Sequence, residues 1–77
     1  MAKEINYKKG IAEAHLYIGR YYYDQRDYWL ALKGLLLSND LSKEIGNYQL
    51  QSQAIHLMGD IYYQIKRVDL SQRYLDL

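Results

Sequence analysis

The feature that most constrains the fold of this 77-residue chain is an internal repeat with a period of forty residues. Residues 14–23, AHLYIGRYYY, return as residues 54–63, AIHLMGDIYY. The tripeptide Lys-Glu-Ile at residues 3–5 likewise returns at residues 43–45, and leucines recur across the same offset. A fixed period between about 20 and 50 residues is the mark of a repeat architecture. The sequence therefore predicts a scaffold of similar units.

Each unit is predicted to begin with a helix. In the first copy, apolar and small residues recur at steps of three and four from Ile11 to Tyr22, which is the helical period. This pattern predicts a helix over about residues 7–24. Gly19 costs about 1 kcal/mol relative to alanine in a helix interior. Its recurrence as Gly59 predicts that a side chain of the adjacent helix needs the space.

Turn signals divide the remainder of the chain. Asp27 is a predicted N-cap after a polar turn, and a second helix is expected from about residue 28 to residue 45, stopped by Gly46. A third helix is expected over residues 48–65. By the period, Lys66 and Arg67 form the next turn and a fourth helix starts near residue 68. Residues 3–5 are predicted to end an earlier helix at Asn6.

These boundaries predict one domain with an incomplete second unit. The first repeat covers about residues 7–46, and a truncated second repeat covers about residues 47–77. The chain is thus expected to begin at the end of one unit and to finish inside another, as a fragment of a longer array would. About three repeats or polar caps are usually needed to cover the apolar ends of such an array.

Composition excludes several classes of function. The formal net charge is +1 with both signs interspersed, so no basic face for nucleic acid or anionic lipid is predicted. Cysteine is absent, and no apolar run reaches the roughly 18 residues of a membrane span. The N-terminus has no signal-peptide core. We expect a cytoplasmic chain that contacts neither nucleic acid nor membrane.

No residue pattern predicts catalysis, a metal or a cofactor. His15 and His56 are not at equivalent repeat positions; His15 is expected to be half-buried and His56 to lie on the surface. No glycine-rich phosphate loop and no serine–histidine–acid pattern occur. The three consecutive tyrosines must point around most of a helix, so Tyr22 is predicted in the core, Tyr23 in a groove and Tyr21 at its flank. The chain is not expected to be an enzyme.

The repeated residues resemble the tetratricopeptide repeat. That family pairs a helix carrying a leucine-glycine step and a tyrosine with a helix carrying a small residue and an aromatic or leucine. The residues that match this pattern, and that we expect to pack the repeat, are Ile18, Gly19, Tyr22, Tyr28, Ala31 and Leu35, then Met58, Gly59, Tyr62 and Leu75. His15 and Ile55 stand where the family often has tryptophan. The forty-residue period is similar to that of long-period bacterial members.

The resemblance implies an all-α fold, an α-solenoid of antiparallel helix hairpins stacked in a right-handed superhelix. The first helix of each pair would line a concave face that binds a protein or peptide. Spacing from the two glycines maps this face to Glu13, Leu16, Arg20, Tyr23 and Asp24, and to Gln53, His56, Asp60, Tyr63 and Gln64. The lysine-and-asparagine clamp of chaperone-binding members has no counterpart here.

Two further expectations concern the ends of the array. The second helix has more apolar residues than one hairpin can cover. We expect this surplus surface either to pack on the next hairpin or to form the contact of a homodimer. The predicted self-association residues are Trp29, Leu36, Leu37, Leu70, Tyr74 and Leu77. An interaction module is the function the sequence favours. The alternative is a sensory or regulatory segment of a bacterial signal-transduction protein, of the peptide-pheromone regulator type or preceding a catalytic or DNA-binding domain.

Overall fold

Three helices form the fold. A computed structural model describes the backbone of residues 2–75 and the side chains of residues 3–67. The helices are α1 (Ala2–Asp24), α2 (Tyr28–Glu44) and α3 (Tyr48–Leu75), and they pack together. The prediction of an all-α fold is confirmed. Short turns make successive helices antiparallel, so α1 and α3 run in the same direction, and both pack on α2.

Both turns have the same backbone design. After α1, the N–H of Asp27 donates to the carbonyl of Tyr22 and the N–H of Arg26 donates to that of Tyr23. After α2, Asn47 and Gly46 make the equivalent two hydrogen bonds. This is the Schellman motif, whose left-handed residue is Arg26 (φ 63°) in the first turn and Gly46 (φ 70°) in the second.

An N-cap begins each of the following helices. The Asp27 carboxylate accepts a hydrogen bond from the N–H of Leu30 at 3.5 Å, and the Asn47 side-chain oxygen accepts one from Leu50 at 3.2 Å. These bonds satisfy donors that the first helical turn leaves unpaired. The predicted end of the first helix, both ends of the second and the Asp27 cap are therefore confirmed.

Two predicted helix boundaries are wrong. α1 runs through Asn6, and α3 runs through Lys66 and Arg67 without a turn. Asn6 does not have a positive φ, unlike Gly46 at the equivalent position. Lysine and arginine are good helix formers, and neither supplies the left-handed residue that stopped α1. The second hairpin is replaced by one helix of 28 residues.

α1 and α2 cross at a pair of glycines. A Cβ built on Gly19 would lie 2.7 Å from Leu35 Cγ, and one built on Gly34 would lie 3.2 Å from the carbonyl oxygen of His15. The predicted packing reason for Gly19 is confirmed. The core extends from this crossing towards α3, and its buried hydrophobic residues are Ala12, Leu16, Ala31, Leu32, Leu35, Leu50, Ala54, Met58 and Ile61.

Two serines of α2 are fully buried beside this core. Ser38 donates a hydrogen bond to the carbonyl oxygen of Ala12 on α1 at 2.8 Å. Ser42, one turn later, donates to the carbonyl of Asn39 within α2 at 3.0 Å. Because small side chains let the two helices approach closely, these serines continue the seam that Gly34 begins.

α1 and α3 bury opposite faces of the same repeated pattern. α1 buries Ala12, Leu16 and Gly19, but the residues forty positions later are exposed: Ser52, His56 and Gly59. α3 instead buries Ala54, Met58 and Ile61, whose exposed counterparts on α1 are Ala14, Ile18 and Tyr21. The cause is geometric, since α2 lies on one side of α1 and on the other side of α3. Each copy of the pattern therefore carries two packing faces, of which the structure uses one.

This difference corrects several packing predictions. Ile18 and Tyr62 are exposed, and no neighbouring atom lies within 4 Å of a Cβ built on Gly59. Tyr22 and Tyr28 are partly buried against the core, and Ala31, Leu35 and Met58 are within it. The side chain of Leu75 lies outside the described residues.

Candidate binding surfaces

A polar cleft opens where the end of α1 meets α3. Its walls come from the first turn, the start of α2 and the last described side chains of α3. The lining residues are Tyr23, Asp24, Arg26, Tyr28, Gln64 and Arg67. Tyr23 and Tyr28 form an aromatic pair with ring centroids 6.1 Å apart.

The cleft carries a net positive charge. Two guanidinium groups face one carboxylate, that of Asp24, and none of the ion pairs among residues 3–67 involves Arg26 or Arg67. Guanidinium groups bind carboxylates and phosphates through two parallel hydrogen bonds and stack on aromatic rings. The arrangement is therefore suited to an acidic group that is carried next to an apolar one.

A second cleft lies at the opposite end of the same seam. It is lined by Lys9, Glu13, Leu16, Tyr17, Asn47, Gln49, Leu50 and Gln53. Lys9 and Glu13 form an ion pair at 3.9 Å along α1. The two clefts lie on one line because α1 and α3 run side by side, with residues forty apart at matching heights.

Six predicted groove residues line these two clefts. They are Glu13, Leu16, Tyr23, Asp24, Gln53 and Gln64. Of these, Leu16 is only 2% exposed and is part of the core, so it cannot serve as a contact residue. The predicted contact role of Leu16 is not supported, because its side chain is packed in the core beside the cleft.

The other four predicted groove residues lie outside the clefts. Arg20, His56 and Tyr63 are exposed on α1 and α3. Asp60 is partly exposed, and its carboxylate lies 3.6 Å from His56 Nε2, one helical turn away. The surface position predicted for His56 and the half-buried one for His15 are confirmed.

An apolar groove runs along the face of α1 and α2 that points away from α3. It is lined by His15, Ile18, Tyr22, Leu30, Lys33, Gly34 and Leu37. Nearby on α2, Trp29 is 73% exposed and Leu36 is also exposed. These positions agree with the predicted surplus of apolar residues on the second helix. The other predicted self-association residues, Leu70, Tyr74 and Leu77, lie outside the described side chains.

Sequence reasoning missed the two arginines of the polar cleft. It treated Arg26 and Arg67 as turn residues, since both follow a helix in the forty-residue alignment. For Arg26, the signal that could have been used is the composition of the turn. Gly46 ends the second helix, whereas the first ends with an arginine in the position where glycine is usual.

The described residues contain no other constellation that points to chemistry. Among them, no three histidine, aspartate or glutamate side chains are close enough to hold a metal ion. None of the helices, over the part of the chain described, combines the length and the apolarity that crossing a bilayer requires. Comparison with protein-family models, with curated proteins and with solved structures finds no match to this chain.

Proposed function

We propose that the chain is a helix-hairpin interaction module of the tetratricopeptide type, which binds a peptide segment of another protein along the seam of α1 and α3. The observation that supports this most directly is the pair of clefts on that seam. Residues from both copies of the repeat line them, as expected of a concave face. α3 packs on α2. In this proposal α3 is the first helix of a following unit, and the three helices make up one and a half units of a solenoid.

The polar cleft defines the preferred ligand. Arg26 and Arg67 would hold a carboxylate or another acidic group, and Tyr23 and Tyr28 would receive an apolar side chain beside it. The ligand is therefore an acidic peptide with an aromatic or aliphatic residue next to the acid. This assignment needs no catalytic residue.

Selection from a random peptide library, followed by fluorescence anisotropy with the enriched peptides, tests this function. Arg67→Ala should weaken binding about tenfold, as expected for loss of one charge-assisted hydrogen-bonding group. Lys43→Ala, which removes an exposed cation of α2 away from the cleft, is the matched control and should bind as wild type. If no enriched peptide depends on Arg67 or Gln64, peptide binding at this seam is wrong.

The module also self-associates in this proposal. Trp29, Leu36 and Leu37 are exposed on α2, and large exposed apolar surfaces mark interaction sites in small proteins. Light scattering over a range of protein concentrations measures this directly. A mass that stays at that of the 9.2 kDa monomer up to submillimolar concentration would contradict self-association.

A further inference from the structure

α3 has an outer surface with a glycine at the repeat position that the α1–α2 contact uses. Gly59 lies forty residues after Gly19, which is covered by Leu35 of α2. On α3 this position is open, because a Cβ built on Gly59 meets nothing within 4 Å. At about 100° per residue, Gly59 is on the side of the helix opposite Leu50 and Ile61, which are buried.

The large exposed apolar side chains of α3 all lie around this glycine, within the part of the helix whose side chains are described. Ile55 is 51% exposed and Tyr62 is 55% exposed, and they flank Gly59 by one helical turn on either side. With Tyr48 and Tyr63 they form what we call the Gly59 strip: Tyr48, Ile55, Gly59, Tyr62 and Tyr63. Single exposed apolar residues are ordinary, but a row of them centred on a glycine is a helix-packing surface.

We propose that the Gly59 strip pairs with the same strip of a second copy of this chain, antiparallel and crossing at Gly59. The inference rests on the self-association in the proposed function, but it assigns the contact to α3 and not to the exposed apolar residues of α2. The α1–α2 crossing supplies the precedent within the molecule, since Gly19 and Gly34 let two antiparallel backbones approach closely there. A two-fold pairing needs only one self-complementary patch, which the strip provides.

The continuity of α3 argues against residues 68–75 as the cover of this strip. α3 is a single helix through residue 75, so residues 68–75 continue along its axis and do not fold back over Gly59. The formal net charge of +1 gives little repulsion between two copies. A helix-sized contact of this kind is small, so we expect a dimer with micromolar affinity.

Charge placement favours the antiparallel orientation. Lys66 lies seven residues after Gly59 on the same side of α3, and a parallel pair would place two copies of Lys66 together. An antiparallel pair crossing at Gly59 places Lys66 opposite Ser52 of the partner subunit. The same geometry brings Tyr62 opposite His56 of the partner subunit and Tyr63 opposite Ile55 of the partner subunit, which are compatible contacts.

Gly59→Ala tests the proposal, with Gly10→Ala as its matched control. Both glycines lie inside helices with open space around a built Cβ, so both substitutions should stabilise the isolated subunit alike. In analytical ultracentrifugation, Gly59→Ala should weaken dimerisation about tenfold or more, because the added methyl separates the crossing helices. Gly10→Ala should leave the dissociation constant at the wild-type value.

A second pair of variants tests the strip even if the helix crossing tolerates one added methyl group at Gly59. Tyr62→Lys places a charge on the strip, and Tyr7→Lys places one at a tyrosine of α1 that is more exposed than Tyr62. Only Tyr62→Lys should abolish dimerisation. A dimer that survives both Gly59→Ala and Tyr62→Lys but is lost on Trp29→Ala would assign self-association to α2 and overturn this inference.

Two other results would also overturn it. A wild-type chain that is monomeric at all concentrations contradicts both this pairing and the self-association on which it rests, while leaving the peptide experiment standing. A concentration-independent loss of stability in Gly59→Ala would mean that the chain covers this face by itself.

Discussion

Leu35 of α2 occupies the space that a side chain at Gly19 of α1 would need, with its Cγ only 2.7 Å from where a Cβ would stand. The carbonyl oxygen of Ala31 closes the same space at 3.2 Å. Because one of these neighbours is backbone and the other is the branch point of a buried leucine, neither can move without disturbing the core. The absence of a side chain at Gly19 therefore allows α1 and α2 to pack in this register.

Gly19→Ala is expected to destabilise the fold by up to about 2 kcal/mol in urea unfolding. Overpacking of this kind costs about 1–3 kcal/mol, and the gain in helix propensity recovers about 1 kcal/mol of it. Gly10→Ala receives the same gain with no clash and should be more stable than wild type. Equal behaviour of the two variants would mean that α1 and α2 do not cross as described.

Much of the fold could be predicted from the sequence because it depends on local chemistry. The Asp27 cap, the end at Gly46 and the glycine at position 19 each follow from what one residue type does to its neighbours. The continuation of α3 through Lys66 was not predicted, since the repeat suggested a turn at a place where the local residues favour a helix. The forty-residue period shows where the sequence pattern recurs. A helix ends only where a local residue, such as a glycine in the left-handed region, can stop it.

Burial was harder to predict than helix position. The repeated pattern is buried on one side in α1 and on another side in α3, and which side is covered depends on where α2 lies. This is why Leu16, predicted to line a groove, is buried, and why Tyr62, predicted to pack, is exposed. The polar cleft was missed in part because Arg26 was interpreted as a turn residue, whereas it has a left-handed backbone conformation and lines the cleft.

Arg26→Gly is expected to stabilise the chain by about 1 kcal/mol. A residue with a Cβ loses about 1–2 kcal/mol in the left-handed region, and glycine does not. Gly46, at the same place in the second turn, is the natural comparison, and Gly46→Ala should lose a similar amount. Thermal unfolding of the two variants should show a higher Tm for Arg26→Gly and a lower Tm for Gly46→Ala than for wild type.

The same substitution separates stability from binding. If Arg26 contributes to the polar cleft, Arg26→Gly gains stability and loses affinity for the acidic peptides selected with wild type. A variant that gains stability and binds unchanged would remove Arg26 from the ligand site. The strained residue would then have no role that the structure explains.

Ser38→Ala is expected to cost about 1 kcal/mol, since it removes the buried hydrogen bond from Ser38 to the Ala12 carbonyl oxygen. Ser42→Ala is the matched control, because its hydrogen bond stays within α2 and serine has no helix-propensity advantage over alanine. Chemical denaturation should place Ser38→Ala below wild type and Ser42→Ala close to it. The reverse order would show that the Ser38 bond does not join the two helices.

Lys8 joins the early part of α1 to the end of α2, and it gives the fold a dependence on high pH. Its ammonium group donates a hydrogen bond to the Glu44 carboxylate, and this bond, with the negative charges of Glu44 and Glu4, raises the pKa of Lys8 above its ordinary value of 10.5. A pKa that is higher in the folded chain than in the unfolded one stabilises the fold below the unfolded value. That contribution is lost as the pH rises through the folded value.

The stability difference between wild type and Lys8→Met should therefore be constant from neutral pH to about 10.5 and should shrink above it. Comparing the two proteins cancels every other pH-dependent contribution that they share. Lys9→Met is the control, since the Lys9–Glu13 pair is longer, at 3.9 Å, and lies within one helix. A difference that persists unchanged well above pH 10.5 would assign the effect of Lys8 to the packing of its alkyl chain rather than to its charge.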